Sequence, residues 1–326
     1  MKICVFGAGA IGGHLAFQLA QAGAEVSVVV RGDNLTAIRR DGLILRTEAG
    51  ERSCRVAASD DARELGPQEL VLVTVKAPAL PQIAQSMVPL LDAETPVLFV
   101  TNGIPWWYYY QHGGPLDGTR LPRVDPGDAV WNAVGPQRAI GGIAMSACTV
   151  VAPGVVEVKG GERPMVLGEP NGVLTPRVER IAALLRQAGF PTEVTERIRD
   201  RIWAKLLMNL GSGPMAVLAP VPLQQLFAEA PCLDARYRIF AEGQAIAEAM
   251  GCRVDVDVDA TTRQAQGSAH IPSIAQDVLR GRMLELDAMF RVPLEMGRAK
   301  GVSTPTLDLL VTLAMLKARA AGIYDG

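Results

Sequence analysis

Histidine and cysteine are too scarce and too scattered in this chain to build the sites they usually build. The three histidines, His14, His112 and His270, lie far apart without ligand-spaced partners, which argues against structural zinc and a histidine-activated nucleophile. The five cysteines, Cys4, Cys54, Cys148, Cys232 and Cys252, are odd in number and contain no C-x-x-C pair, so they read as small core residues. Excess charge of one sign is missing too. The net charge is −2 and no Lys/Arg block occurs, so neither nucleic acid nor an anionic membrane surface is an expected partner. There is no uninterrupted apolar run of membrane-spanning length, and no basic stretch leading a hydrophobic signal segment, so a cytoplasmic location is expected. Asp255, Asp257 and Asp259 in VDVDVDA lack the glycine and glutamate of a calcium loop and read as a solvated turn. No metal site is expected.

What is present begins at once. KICVFGAGAIGG places an apolar strand at 2–6, then Gly7, Gly9 and Gly12 in the spacing G-x-G-x-x-G, then a helical run over 11–22 closed by Gly23. Gly7 permits the tight strand-to-helix turn, Gly9 lets backbone approach a pyrophosphate, and Gly12 lets helix and strand pack closely. Gly7, Gly9, Ala10, Ile11 and Gly12 are therefore the expected dinucleotide-binding stretch, with the helix N-terminus facing the phosphates. The second strand, 25–30, ends in Arg31 rather than in the acid that holds a ribose 2′-hydroxyl. A guanidinium suits a 2′-phosphate, so NADP(H) is favoured over NAD(H), with Arg39 or Arg40 able to share the contact and Asp33 able to blunt it.

With 326 residues and 49% hydrophobic composition, the chain can bury two ordinary cores. Apolar strand patterns recur at 70–75, 97–101, 142–151 and 155–158, with a helix near 80–91; the alternation predicts an α/β domain around a parallel sheet. From about 177 onward the pattern turns almost wholly helical, at 177–188, 198–210, 233–250, 274–280, 283–290 and 307–321, with one last short strand at 192–194 and the domain boundary after it, near Glu196. Two domains are expected, 1–196 and 197–326.

In an open α/β sheet, ligands bind beyond the carboxyl ends of the strands, which singles out Lys76 after VLVTV and Asn102 after VLFVT. Lys76 reads either as a ligand contact or as a solvated charge, and Asn102 before Gly103 as a contact or an Asx turn. In the helix at 198–210, Lys205 and Asn209 fall within roughly 20° of Ile198 on a 100° projection. Lys205 is therefore either a buried ammonium that needs a partner or a snorkelling lysine with its head in water.

These pieces together resemble the ketopantoate reductase (2-dehydropantoate 2-reductase) family: GAGAIGG at 7–13, Arg31, VK at 75–76, NG at 102–103, WAKLLMN at 203–209, PSIAQD at 272–277, and Glu285. The resemblance spans nearly the whole chain. It implies a Rossmann-type domain followed by an all-helical domain of the 6-phosphogluconate-dehydrogenase type, with NADPH reducing 2-dehydropantoate to (R)-pantoate for pantothenate biosynthesis in the cleft between them. On this sequence it implies Lys205 and Glu285 as catalytic, Asn102, Asn209 and Ser273 as substrate-binding, and Lys76 and Asn102 as cofactor contacts. Ser273 also reads as an ordinary helix cap, and Glu285 as a surface helix glutamate.

Two departures stand out. Where the family commonly carries a second asparagine on the lysine helix, this chain has Gly213, then Pro214. Aromatic residues make up only 5% of the chain, yet two of four Trp and three of five Tyr form WWYYY at 106–110, opening an insert that runs to 137. That insert reads either as a wall or lid of the cleft or a dimer contact, or as aromatic packing over a sheet edge with a loose loop behind it. Alternatives therefore stay open: reduction of another bulky 2-oxo acid or an imine, or a non-catalytic NADP(H)-binding regulator. The expected partner is a small-molecule 2-oxo acid, with a second copy of the chain in a homodimer left open.

Overall fold

Four of the five side chains of Lys2–Phe6 (β1) are apolar and buried, and parallel neighbours pair with the strand on both edges, as suits a central strand covered on both faces. The structure, a computed structural model, describes residues 1–160 and 164–326. The remaining strands are Glu25–Val29 (β2), Leu43–Thr47 (β3), Gly50–Cys54 (β4), Ala57–Ser59 (β5), Leu70–Val73 (β6), Val97–Phe99 (β7), Ala139–Ala144 (β8), Cys148–Ala152 (β9), Val155–Val158 (β10), Met165–Gly168 (β11) and Thr192–Val194 (β12). Among the described residues, eight strands form one sheet in the order β12-β11-β8-β7-β6-β1-β2-β5, parallel except where β8 meets β11. The chain turns to β2 on one side of β1 and to β6 on the other, so the Gly7 turn stands at the point where strand order reverses.

A second sheet, β4-β3-β10-β9, was not expected from the sequence. The strand anticipated over 142–151 is in fact two: β8 ends at Ala144 in the large sheet, and β9 starts at Cys148 in the small one. The helix Ala10–Gln21 buries Leu15, Ala16, Phe17 and Leu19 against core residues that include Ile3, Val5 and Val156. Leu15, Phe17 and Leu19 each contribute about 1.5–3 kcal/mol by leaving water.

The aromatic insert joins this packing. Trp106, Trp107, Tyr108 and Tyr109 are buried; Trp106 lies edge-on to Phe99 of β7, with ring centres 5.3 Å apart, and to Trp131 at 5.9 Å. A Cβ on Gly141 of β8 would come within 2.8 Å of the Trp107 ring. The WWYYY aromatics do pack on the sheet, but against its interior strands β7 and β8 rather than over an edge as expected.

The chain divides into two compact units, Met1–Thr101 with Trp106–Ile198, and Asn102–Pro105 with Arg199–Gly326. The second is helical. Its long helix Ala230–Ala249 approaches its neighbours through glycines: a Cβ on Gly243 would stand 2.6 Å from Leu207, and one on Gly297 2.9 Å from Ile246. Glu242 of that helix accepts from the amides of Thr306 and Leu307 at 2.9 and 2.8 Å, capping the helix Pro305–Ala320 where its N–H groups have no intrahelical partner. Asp257 of the acidic run caps Val258–Gln266 through the Ala260 amide, 2.8 Å away. Among the described residues, no helix is long and apolar enough to cross a membrane.

Candidate active site

In the first unit, the three glycines of the turn after β1 have separate reasons to be glycine. Gly7 has φ +102°, and a Cβ there would lie 2.6 Å from Val75. A Cβ on Gly12 would lie 2.0 Å from the Gly7 carbonyl oxygen and 2.2 Å from Thr74 Oγ1. On Gly9, by contrast, it would meet no described atom within 4 Å. Protein packing therefore demands glycine at 7 and 12, while Gly9 keeps open a face next to the start of helix Ala10–Gln21. No described side chain caps that helix, and its first turn carries no acid, so the N–H groups around Ala10 and Ile11 are suited to an anion. Thr74, which the sequence reading did not single out, holds the turn: its hydroxyl donates to the Gly7 carbonyl at 2.6 Å.

Arg31 follows β2 and is exposed, with no hydrogen bond or ion pair to its guanidinium among the described residues. Its two candidate helpers are engaged elsewhere: Arg39 donates to the Ala58 carbonyl at 2.9 Å, and Arg40 clamps Asp41 at 2.7 Å. Asp33 opens the helix Asp33–Asp41. Lys76 is partly exposed and precedes the 3-10 turn Ala77–Ala79, three residues beyond β6.

In the helical unit, Lys205 and Asn209 occupy successive turns of Ile198–Leu210, both partly buried. Burial pulls the Lys205 ammonium down to about 8, against an upward push from the Glu285 carboxylate. Glu285 is buried, at 8% exposure, and its Oε2 accepts from Asn102 Nδ2 at 3.3 Å. A buried carboxylate needs such partners. Glu285 does not lie in a regular helix over 283–290, as the periodicity suggested; residues 282–285 are non-helical, and a π turn, Asp287–Arg291, opens the helix Val292–Ala299.

The π turn explains how Asn102 reaches Glu285. The Val292 amide donates to Asp287, one residue further back than in an α-helix, and Pro293 has no amide to give. Both helical donors for the Ala288 carbonyl are thereby removed, and it accepts instead from the Ile104 amide at 2.8 Å. Gly103, between Asn102 and Ile104, has φ +79°, and a Cβ on it would stand 2.4 Å from the Ala288 carbonyl. Only glycine lets the turn come this close.

Comparison with known proteins then decides the family. The model for "Ketopantoate reductase PanE/ApbA" matches residues 3–172, and that for its C-terminal region matches residues 197–318. The chain belongs to the ketopantoate reductase family. It is 40% identical over 330 residues, and the full length of both chains, to 2-dehydropantoate 2-reductase of Mesorhizobium japonicum. Among solved structures it resembles a candidate ketopantoate reductase from Ralstonia solanacearum MolK2, with 35% identity, TM-score 0.92 and 99% of each chain covered. D-mandelate dehydrogenase, in a ternary structure with NADH and anilino(oxo)acetate, shares the fold at 21% identity, with TM-score 0.84 and coverage of 99% and 100%.

In this ketopantoate reductase family member, Ser273 is the exposed first residue of the helix Ser273–Leu279. Gly213 is not on the lysine helix, which ends at Leu210, but opens the next helix, Gly213–Leu218; it is buried, and a Cβ there would lie 2.6 Å from the Phe290 ring. An apolar ring thus stands beside the position where the resemblance leads one to look for a second amide. Pro293 and Phe290 escaped the sequence reading, as did the close approach of Gly103 to Ala288, because these roles depend on contacts between segments far apart in the chain.

Proposed function

We propose that this protein is a 2-dehydropantoate 2-reductase using NADPH, with Lys205 and Glu285 as its catalytic pair. The observation that carries the reading is a lysine with a depressed pKa beside a buried, amide-anchored carboxylate, in a chain whose full-length relative has that activity by name.

The residues present fit a dinucleotide. Gly9 leaves backbone approachable, the N-terminus of Ala10–Gln21 has no competing side-chain cap, and Arg31 offers an unengaged guanidinium suited to a 2′-phosphate. Gly7, Gly9, Ala10, Ile11, Gly12, Arg31, Lys76 and Asn102 would hold it. When bound, the nicotinamide supplies the hydride. The chain's own part is to manage the charge that reduction of a ketone places on oxygen. The Lys205 ammonium stabilises that oxyanion and then protonates it. Glu285 keeps the amine charged despite desolvation, and Asn102 holds Glu285 in place. Asn209 and Ser273 take the polar groups of the substrate, including its carboxylate.

Phe290 beside Gly213 favours a second reading at the level of substrate. A pocket lacking one hydrogen-bonding amide rejects alternatives less strongly, which opens the site to another bulky 2-oxo acid. The test is NADPH oxidation across a panel of 2-oxo acids. The highest kcat/KM is expected for 2-dehydropantoate, and a clear preference for another acid replaces it as substrate.

A further inference from the structure

The segment bearing Glu285 is gripped on both sides by the last residues of the chain. On one side, the Leu284 amide donates to the Ile323 carbonyl at 3.0 Å. On the other, the buried Tyr324 hydroxyl donates to Asp287 Oδ1 at 2.7 Å and accepts from Arg291 Nη1 at 2.5 Å. Arg291 also reaches Asp287 Oδ1 at 3.2 Å, closing a three-membered network. The tail is itself fastened, since Arg319 donates to the Gly326 carbonyl and lies over the Tyr324 ring at 5.7 Å. Residues 284 and 287, on either side of Glu285, are thus both tied to the tail.

We infer that Tyr324 is a positioning residue: through Asp287 it fixes the backbone from which Glu285 faces Lys205. The inference rests on the catalytic roles proposed for that pair. Residues 282–285 are non-helical, so Glu285 lacks the rigid support a helix interior gives, and its placement depends on what holds its neighbours. Ala288 is held by Ile104, and Leu284 and Asp287 by the tail. Burial pushes the Tyr324 phenol up to about 12, so its hydroxyl stays a donor through any ordinary assay range. Charged or titratable groups around the clasp include Asp287, Arg291, Glu295 and Arg319; Lys205 is faced by Glu285, and Asp200 and Arg201 lie about one turn earlier on its own helix.

The test compares full-length wild type, Tyr324→Phe, Asp287→Asn and Lys205→Ala. Each is assayed for kcat and KM against pH with NADPH and 2-dehydropantoate, and for the melting shift that NADPH induces. Glu285 raises the Lys205 pKa, so loosening Glu285 lowers it. Tyr324→Phe and Asp287→Asn are each expected to move the alkaline limb of kcat to lower pH by about half a unit. Their kcat should fall about three- to tenfold, with the NADPH-induced melting shift kept. A purely structural role for Tyr324 would lower the melting temperature and leave the limb in place. Limbs superimposable on wild type in both variants overturn the inference while leaving the catalytic reading intact. Unimpaired turnover in Lys205→Ala overturns that reading, and the inference with it.

Discussion

Replacing Gly103 by alanine tests the contact that joins the Asn102 turn to the π turn. The backbone there has φ +79°, where a Cβ costs about 1–2 kcal/mol. The added methyl would also stand 2.4 Å from the Ala288 carbonyl carbon and oxygen and 2.8 Å from the Met289 nitrogen, all backbone atoms that no rotamer change can move aside. Relief requires the turn to withdraw, which gives up the 2.8 Å hydrogen bond from Ile104 to Ala288, worth about 1 kcal/mol. Withdrawal also carries Asn102 away from Glu285, leaving a buried carboxylate without a hydrogen bond that is already long at 3.3 Å. The total expected loss is about 3–5 kcal/mol of unfolding free energy. Urea denaturation measures it, and kcat should fall in the fraction that stays folded. A variant within about 0.5 kcal/mol of wild type, with unchanged kcat, would refute the argument, because that is the range of a neutral surface substitution.

Gly9→Ala should fold with wild-type stability, since the new methyl meets no described atom within 4 Å, yet lose most of the melting shift that NADPH confers; scanning fluorimetry with and without cofactor reads both. Arg31→Ala should raise KM for NADPH about tenfold or more while leaving KM for NADH nearly unchanged, and equal effects on the two would remove the assignment of Arg31 to the 2′-phosphate. Lys205 must be protonated to give its proton, so kcat should decline as pH rises through about 8. Lys205→Ala should cut turnover about 10²–10⁴-fold and abolish that alkaline limb, which stopped-flow or steady-state pH profiles would register.

What was legible in the sequence divides by range. The turn at Gly7, Gly9 and Gly12 was readable because its geometry is dictated locally, by residues within one strand and one helix. The face shared by Lys205 and Asn209 was readable because helical periodicity alone sets it. The small sheet was not. Its strand β4, GERSC, is mostly exposed and polar, and β3, although it buries Leu43 and Leu45, pairs with β10 more than a hundred residues away, a pairing that no local pattern announces. The segment at 283–290 has helical spacing, yet the main chain is pulled out of a helix by Ile323 at one end and lacks the Pro293 amide at the other. Asn102 was expected directly after a strand and lies three residues beyond β7, while its partner lies 183 residues further along the chain, a distance no motif bridges.

The assignment of Asn102–Pro105 to the helical unit bears on how this gene is dissected. A fragment beginning at Arg199 inherits the amine and the acid but leaves the amide behind. A chimera joined at the same place sets one parent's Asn-Gly turn against the other parent's carbonyl at 288, with no guarantee that the two surfaces match. Shuffling experiments that treat the C-terminal half as a portable module should therefore transplant residues 102–105 along with it.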